Sequence, residues 1–304
     1  MNLSFSNVCL LLLLNAAIVS IARSSTSYVT SVTSIQGRRD YQEDEVAVSG
    51  AQGFAAVYDG HGGGHVSTYL RKNYFPSFLR RMGAQESDKL VDTSKWEKDK
   101  IQSAMMLSLK SVDEEVGQIE KWRNIGSTCT AVCVNNGNLY SINCGDSRAV
   151  LSRNGKALAL THDHKPNEEL ERGRIEGLGG EIKWFGLTIK NKPAGRGCYR
   201  VNGNLALSRA VGDWAERPYV SSESEMDCIK LTKEDKFVIV ASDGLWDVME
   251  SEEAVSLVNR LISQPNSKFF SCVSTSSPLI SSALVSEALR RGSSDNISVC
   301  VLFL

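Results

Sequence analysis

Acidic residues at the ends of apolar segments, most of them beside a glycine, are the part of this sequence best suited to carry chemistry. They stand at Glu43-Asp44, Asp59-Gly60, Gly145-Asp146, Asp243-Gly244 and Asp295-Asn296. A carboxylate at the end of a buried strand costs free energy unless a cation offsets its charge. Because oxygen-only ligands select hard ions, several such carboxylates together favour a site for Mg²⁺ or Mn²⁺. One Asp-Gly pair alone more often forms an ordinary turn.

The short motifs of other common catalytic sites are absent from the sequence. It has no GxxxxGK[ST] loop, no complete GxGxxG loop, no GxSxG turn and no HExxH helix. With four histidines and no closely spaced cysteine pair, a tetrahedral zinc site is disfavoured. His61 is the histidine expected to do chemistry, because the glycines on both sides of it predict an exposed turn. His65, His162 and His164 are expected to be structural.

The elements that must position these residues are short strands and four helical segments. Strands are predicted at residues 28–35, 45–49, 53–58, 129–134, 139–143, 149–152, 237–241 and 297–304. Helices are predicted at residues 66–82, with a kink at Pro76, and at 98–119, 248–262 and 284–290. Asn136-Gly137 and Asn154-Gly155 predict hairpin turns, and Ser251 is the expected N-cap of the third helix. This pattern favours an α+β fold with sheets covered by helices.

Composition limits the classes of protein to which the chain can belong. Its 304 residues suffice for one large domain or two ordinary ones, and 42% hydrophobic with 23% charged residues is typical of a soluble globular protein. The net charge of −1 provides no general attraction for nucleic acid, so no nucleic-acid partner is expected. Eight cysteines are too few for a disulfide scaffold, and most lie in apolar stretches that predict small buried side chains.

The acidic residues lie in segments that resemble the metal-dependent protein serine/threonine phosphatases of type 2C. The matching segments follow the order of that family from about residue 28 to the C-terminus. They are 37–44 (GRRDYQED), 58–63 (YDGHGG), 126–128 (GST), 143–150 (NCGDSRAV), 163–166 (DHKP), 174–175 (RI), 179–180 (GG), 205–213 (LALSRAVGD), 241–247 (ASDGLWD) and 292–297 (GSSDNI). One motif would be weak, but an ordered series with sensible spacing is specific.

The resemblance implies a fold and a role for each matching residue. The fold is a four-layer αββα sandwich of two antiparallel sheets flanked by helices, with a two-metal site at one end. The ligands of two Mg²⁺ or Mn²⁺ ions, and of a possible weaker third, would be Glu43, Asp44, Asp59, Gly60, Asp146, Asp243 and Asp295. Asp59 would bridge both ions. Arg39 matches the arginine that binds the substrate phosphate, and His61 matches the proposed general acid.

The expected activity is the hydrolysis of phosphoserine and phosphothreonine in proteins by a water that two metal ions activate. Phosphorylated proteins are the expected partners, and the chain is expected to be a monomer. Two alternatives stay open at this point: an inactive phosphoprotein-binding module on the same fold, and a two-metal hydrolase of small phosphorylated molecules. An inactive module should have lost a metal carboxylate, and none of the matching carboxylates is missing.

The N-terminus carries an apolar run at residues 8–22, within a predicted leader at 1–23 that precedes a catalytic domain at 24–304. The run is shorter than the ~20 residues that a membrane-spanning helix needs. A small-x-small pattern ending at Ala22 fits signal-peptide cleavage, which would give a secreted enzyme. Basic residues follow the run, beginning at Arg23, so we expect membrane association with the catalytic domain facing the cytosol. A cytosolic location is the remaining alternative.

A sequon and the cysteine count also bear on the compartment. Asn296-Ile297-Ser298 is a glycosylation sequon beside the expected ligand Asp295, where a glycan would obstruct the site. Removal of the leader, with Cys9, would leave an odd number of cysteines. Both observations argue against an oxidising lumen.

Overall fold

The computed structural model describes residues 28–84, 91, 93–189, 192–263 and 279–304. The predicted leader at 1–23, its cleavage at Ala22 and its membrane association lie outside these residues. Within the described ranges, no helix is long and apolar enough to cross a membrane.

Fifteen strands and six α-helices make up the described chain. The strands are β1 (Thr30–Ile35), β2 (Glu45–Ser49), β3 (Phe54–Tyr58), β4 (Gly60–His61), β5 (Gly126–Ser127), β6 (Cys129–Asn135), β7 (Asn138–Cys144), β8 (Arg148–Arg153), β9 (Lys156–Ala159), β10 (Ile182–Ile189), β11 (Lys192–Val201), β12 (Val211–Gly212), β13 (Glu225–Lys230), β14 (Asp235–Ala241) and β15 (Ile297–Phe303). The helices are α1 (His65–Arg81), α2 (Lys98–Gly117), α3 (Glu169–Gly177), α4 (Asp243–Trp246), α5 (Ser251–Ile262) and α6 (Leu279–Arg290).

Two five-stranded antiparallel sheets form the centre of the molecule. The first sheet has the order β1-β15-β14-β8-β9, and the second has the order β13-β7-β6-β3-β2. Apolar side chains of both sheets pack on each other between them. Helices α1 and α2 cover the outer face of the second sheet, and α5 and α6 cover the outer face of the first. This arrangement confirms the predicted αββα sandwich.

Strand β3 shows why the central strands have continuous apolar sequences. All five of its residues are buried. Phe54, Ala56 and Tyr58 face helices α1 and α2, while Ala55 and Val57 face the other sheet. Because successive side chains of a strand point to opposite faces, a strand covered on both faces must be apolar at every position.

The hairpin turns form as predicted, but the expected N-cap of α5 does not. Asn136-Gly137 and Asn154-Gly155 all have positive φ angles, as tight hairpins between right-twisted strands require. The N-cap of α5 is Glu250 and not Ser251, because Glu250 and Glu253 form a reciprocal capping box. The Ser251 hydroxyl instead accepts a hydrogen bond from Arg148 at 3.1 Å.

A smaller unit lies beside the sandwich and contains elements that the sequence did not predict. Helix α3 and the β10–β11 hairpin belong to it, and Ile175, Val201 and Val220 form its apolar centre. Most of β10 is exposed, so its sequence has no period-two pattern that would indicate a strand.

Candidate functional site

The acidic residues predicted from the sequence gather at one end of the sandwich. Both sheets contribute to this group: Asp59 follows β3, Asp146 follows β7, Asp243 begins α4 after β14, and Asp295 precedes β15. Asp44 lies just before β2. We call these five residues the carboxylate cluster.

The electrostatics of the carboxylate cluster show that its members lie close together. Burial raises the pKa of Asp59 well above its ordinary value, and the negative charges of Asp44, Asp243, Asp146 and Asp295 raise it further. Burial, followed by the charge of Asp146, likewise raises the pKa of Asp243. Burial raises the pKa of Asp44 to about 6, although nearby serine hydroxyls oppose the shift. Like charges thus face each other in a region that water screens poorly.

The cluster has the donor atoms that a hard divalent cation requires. All of its side-chain donors are carboxylate oxygens. Asp44 Oδ2 accepts a hydrogen bond from Ser242 at 2.9 Å, whereas its buried Oδ1 has no hydrogen-bond partner. A buried carboxylate oxygen without a donor favours a cation as its partner. The residues therefore fit a divalent cation.

As the side chains stand, no three His, Cys, Asp or Glu groups in the described parts of the chain converge at ligand distance. Two basic side chains hold two of the carboxylates. Arg39 Nη2 lies 2.6 Å from Asp295 Oδ2, and Lys165 Nζ lies 2.6 Å from Asp146 Oδ2. The structure thus brings the predicted residues together, and their role as ligands stays a prediction.

Arg39 lies where an anion could reach it from solvent. Its side chain is 56% exposed although it pairs with Asp295. Burial would lower the pKa of Arg39, but the charges of Asp295, Asp243 and Asp59 raise it, so the guanidinium lies next to the cluster. A guanidinium in this position offers a planar set of donors to a phosphate.

Thr128 fixes the backbone at Asp59. The Asp59 N–H donates to Thr128 Oγ1 at 3.0 Å, and the Thr128 N–H donates to the Asp59 carbonyl at 2.8 Å. At the neighbouring Gly60, a Cβ would lie 2.5 Å from the carbonyl oxygen of Glu43. Glycine therefore allows the backbone of Glu43 to lie close to the backbone that directly follows Asp59.

Asn296 connects the segments that carry Arg39 and Glu43. Its amide donates to the carbonyls of Gln36 at 2.8 Å and Tyr41 at 2.9 Å, and its Oδ1 accepts from the N–H of Glu43 at 2.9 Å. The residue is 5% exposed. Because both amide hydrogens are used and the side chain is buried, the sequon is inaccessible in the folded chain.

His61 pairs with an acid outside the carboxylate cluster. Its Nε2 lies 2.6 Å from Oδ2 of Asp213. Burial would lower the pKa of His61, but the charge and hydrogen bond of Asp213 outweigh burial and raise it. By contrast, His164 is a buried structural residue whose Nδ1 accepts the N–H of Gly145 at 3.0 Å.

Two partners of the site were not assigned from the sequence, namely Asp213 and Lys165. Both lie in segments that resemble the phosphatase family, at 205–213 and 163–166. Their presence in these motifs is the only signal in the sequence that points to them, because each contacts its partner through tertiary packing.

The comparisons agree with this geometry. The family model of protein phosphatase 2C matches residues 29–297. The chain belongs to the protein phosphatase 2C family. It is 38% identical over 271 residues to the probable protein phosphatase 2C 8 of Oryza sativa subsp. japonica, covering 83% of this chain and 62% of that protein. It is 34% identical over 308 residues to protein phosphatase 2C 56 of Arabidopsis thaliana, covering 90% of this chain and 67% of that protein.

Solved structures share the protein phosphatase 2C fold. A C. elegans sex determining protein superposes with a TM-score of 0.76 at 25% identity, covering 93% of this chain and 66% of its own. The serine-threonine phosphatase 2C of Toxoplasma gondii superposes with a TM-score of 0.72 at 23% identity, covering 92% of this chain and 96% of its own. The chain therefore has a phosphatase 2C fold, and it spans 62% of the length of the rice relative.

Proposed function

We propose that the chain hydrolyses phosphoserine and phosphothreonine in proteins, with two Mg²⁺ or Mn²⁺ ions and a possible weaker third. The observation that carries this proposal is the carboxylate cluster, whose buried acids repel one another and whose Asp44 has a buried oxygen without a partner. Family membership supports a protein as the substrate.

Different residues of this chain would hold the different ions. Asp59 would bridge two ions, with the Gly60 carbonyl beside it, and Asp44 would act through water. Glu43 would serve one of the two ions, and Asp243 and Asp295 the other. A third ion would share Asp146 and Asp243. When bound, such ions lower the pKa of a water molecule and neutralise charge on phosphorus.

Arg39 and His61 contribute the remaining chemistry. The guanidinium of Arg39 binds two phosphoryl oxygens and orients the phosphorus for attack by water from the opposite side of the leaving group. His61 gives a proton to the serine or threonine oxygen as the phosphorus–oxygen bond breaks. Because water attacks directly, no phosphoenzyme is needed.

The test is phosphate release by the purified full chain from phosphoserine and phosphothreonine peptides. We expect turnover with Mn²⁺ or Mg²⁺ and none in excess EDTA. The variant Asp235→Asn should keep this turnover and its dependence on metal, because Asp235 is also buried but pairs with Arg153 away from the cluster. Full turnover in EDTA contradicts the metal mechanism. Peptide binding without turnover indicates an inactive module, and turnover of small phosphorylated molecules alone indicates the second alternative.

We also propose that the leader at 1–23 attaches the chain to a membrane with its catalytic domain facing the cytosol. The support is the apolar run at residues 8–22 followed by Arg23. Protease protection of the tagged full chain, together with the N-terminal sequence of the mature form, tests it. A mature chain that begins at Arg23 and is shielded inside vesicles indicates secretion, and a chain absent from the membrane fraction indicates a cytosolic enzyme.

A further inference from the structure

A small three-stranded sheet brings His61 and Asp213 together. Strand β5 lies in its centre, between β12 and β4. In this register, Gly126 of β5 is opposite both His61 of β4 and Gly212 of β12. Asp213 directly follows β12, so the residues that pair across Gly126 come from segments 152 positions apart in the chain.

The central strand leaves the space in which these two side chains meet. A Cβ on Gly126 would collide with Oδ2 of Asp213 and lie 2.5 Å from Nε2 of His61. Since any other residue would place an atom between the imidazole and the carboxylate, the contact depends on glycine at this position.

The backbone holds Asp213 in a conformation that is unusual for a residue other than glycine. Its φ is 48°, in the left-handed region. Its N–H donates to the carbonyl of Ile125 at 3.0 Å, and its carbonyl accepts the N–H of Glu216 at 2.8 Å. The side chain is 2% exposed. Such a residue persists only where its surroundings hold it in place, which is common at functional sites.

We propose that Asp213 is a positioning residue that sets the orientation and tautomer of His61 for proton transfer, which rests on the proposed phosphatase activity. The carboxylate accepts the Nε2–H, so the proton that His61 exchanges is on Nδ1. Within the described residues, Nδ1 makes no hydrogen bond.

The proton balance follows from this arrangement. The oxygen of the attacking water forms a bond to phosphorus, and the bond from phosphorus to the serine oxygen breaks. The serine oxygen takes the Nδ1 proton, and a proton of the attacking water then restores His61. Asp213 stays ionised and keeps its hydrogen bond to Nε2.

The first test compares two substrates with different leaving groups in Asp213→Asn. We expect kcat for a phosphoserine peptide to fall by about 10- to 100-fold while KM stays nearly constant. For p-nitrophenyl phosphate, whose leaving group needs little protonation, the loss should be much smaller. In a His61→Gln background, Asp213→Asn should cause no further loss, because residues that act as one unit are not additive. Equal losses on both substrates, or additive losses in the double variant, overturn the proposal.

The second test does not depend on turnover. Nitrogen NMR of the His61 imidazole should place the proton of the neutral ring on Nε2 in the original chain and lose that preference in Asp213→Asn. Asp235→Asn is the control and should leave the His61 signals unchanged. If Asp213→Asn does not fold, Gly126→Ala replaces it and should give the same spectral change. A neutral His61 ring that carries its proton on Nδ1 in the original chain overturns this inference alone, whereas absence of turnover by the original chain counts against the proposed function.

Discussion

The carboxylate cluster and the acids near α3 contain the same kind of side chain, yet their electrostatics are opposite. Burial and neighbouring negative charges raise the pKa of Asp59, and burial raises that of Asp44 to about 6. Burial would also raise the pKa of Glu171, but hydrogen bonds from Arg209 and Arg174 lower it to about 2. Burial acts in the same direction in both groups, and the arginine partners of Glu171 are what reverse the sign of its shift.

The difference separates acids that hold the fold together from acids available to a ligand. Glu171 lies 2.8 Å from Arg174 and 2.6 Å from Arg209, so it ties α3 to the segment before β12. Asp113 also pairs with an arginine, Arg217 at 2.9 Å, although burial still raises its pKa. In the carboxylate cluster the acids outnumber the paired basic residues Arg39 and Lys165, which leaves negative charge for a cation.

The largest effect should come from Asp59→Asn in the carboxylate cluster. Asp59 interacts with every other member of the cluster, so loss of its charge should weaken binding of more than one ion. We expect kcat for a phosphopeptide at saturating Mn²⁺ to fall by about 10³-fold, which corresponds to several kcal/mol of lost stabilisation. Asp235→Asn should keep nearly full kcat. A wild-type rate for Asp59→Asn would contradict a role of the carboxylate cluster in turnover.

Glu171→Gln should change stability and not turnover. The substitution leaves Arg209 without its closest carboxylate partner. Because breaking a buried ion pair leaves an uncompensated charge, we expect the free energy of unfolding in urea to fall by about 2–3 kcal/mol. Glu120→Gln, which removes an exposed partner of Arg123, is the control and should have no measurable effect. If Glu171→Gln lost turnover while keeping its stability, the two groups of acids would not differ in role.

The free energy of unfolding of the metal-free chain should fall as pH rises, in part because of Asp44. A carboxyl whose pKa is higher in the folded chain contributes stability below its unfolded pKa and loses it as pH rises through the folded value of about 6. Glu171 has the opposite shift, so its contribution is lost only in more acidic solution. Urea unfolding in EDTA from about pH 4 to pH 7 should show a loss of stability to which Asp59 and Asp243 also contribute, and Asp44→Asn should make that loss smaller by about 2 kcal/mol. The same slope in Asp44→Asn and in the original chain would contradict the assignment.

The smallest effect should come from Lys165→Met. Its ammonium lies 2.6 Å from Asp146 and therefore competes with a cation for that carboxylate. We expect the weaker Mn²⁺ site to bind about two- to tenfold more tightly, as measured by titration calorimetry. Lys156→Met, on exposed β9, is the matched control. Unchanged or weaker Mn²⁺ binding in Lys165→Met would show that the lysine supports the site instead.

The sandwich could be predicted because its strands are covered on both faces. Strand β3 and residues 237–241 of β14 are continuous apolar runs, and two Asn-Gly pairs specify the β6–β7 and β8–β9 hairpins locally. The β10–β11 hairpin could not be predicted, because a strand exposed on both faces has no hydrophobic period. The prediction of Ser251 as the N-cap of α5 was wrong, because the reciprocal capping box of Glu250 and Glu253 outweighs the preference for serine.

The acids of the site could be predicted from the sequence, but the partners of these acids could not. The ends of apolar strands, together with the family motifs, indicated every member of the carboxylate cluster. The partners of these residues could not be predicted, because hydrogen bonds between distant side chains follow from tertiary packing. Asp213 reaches His61 only through the register of β4, β5 and β12, which no local pattern encodes.

The pairing of β1 with β15 has a consequence for protein synthesis. Thr30 lies opposite Leu302 and Ile35 opposite Ile297, so an early strand of the chain needs a very late one as its neighbour. Asp295 and Asn296, which hold Arg39 and Glu43, stand directly before β15. A chain still on the ribosome therefore cannot assemble the carboxylate cluster until residues 295–303 have left the exit tunnel. The topology therefore delays assembly of the cluster until β1 and β15 can pair.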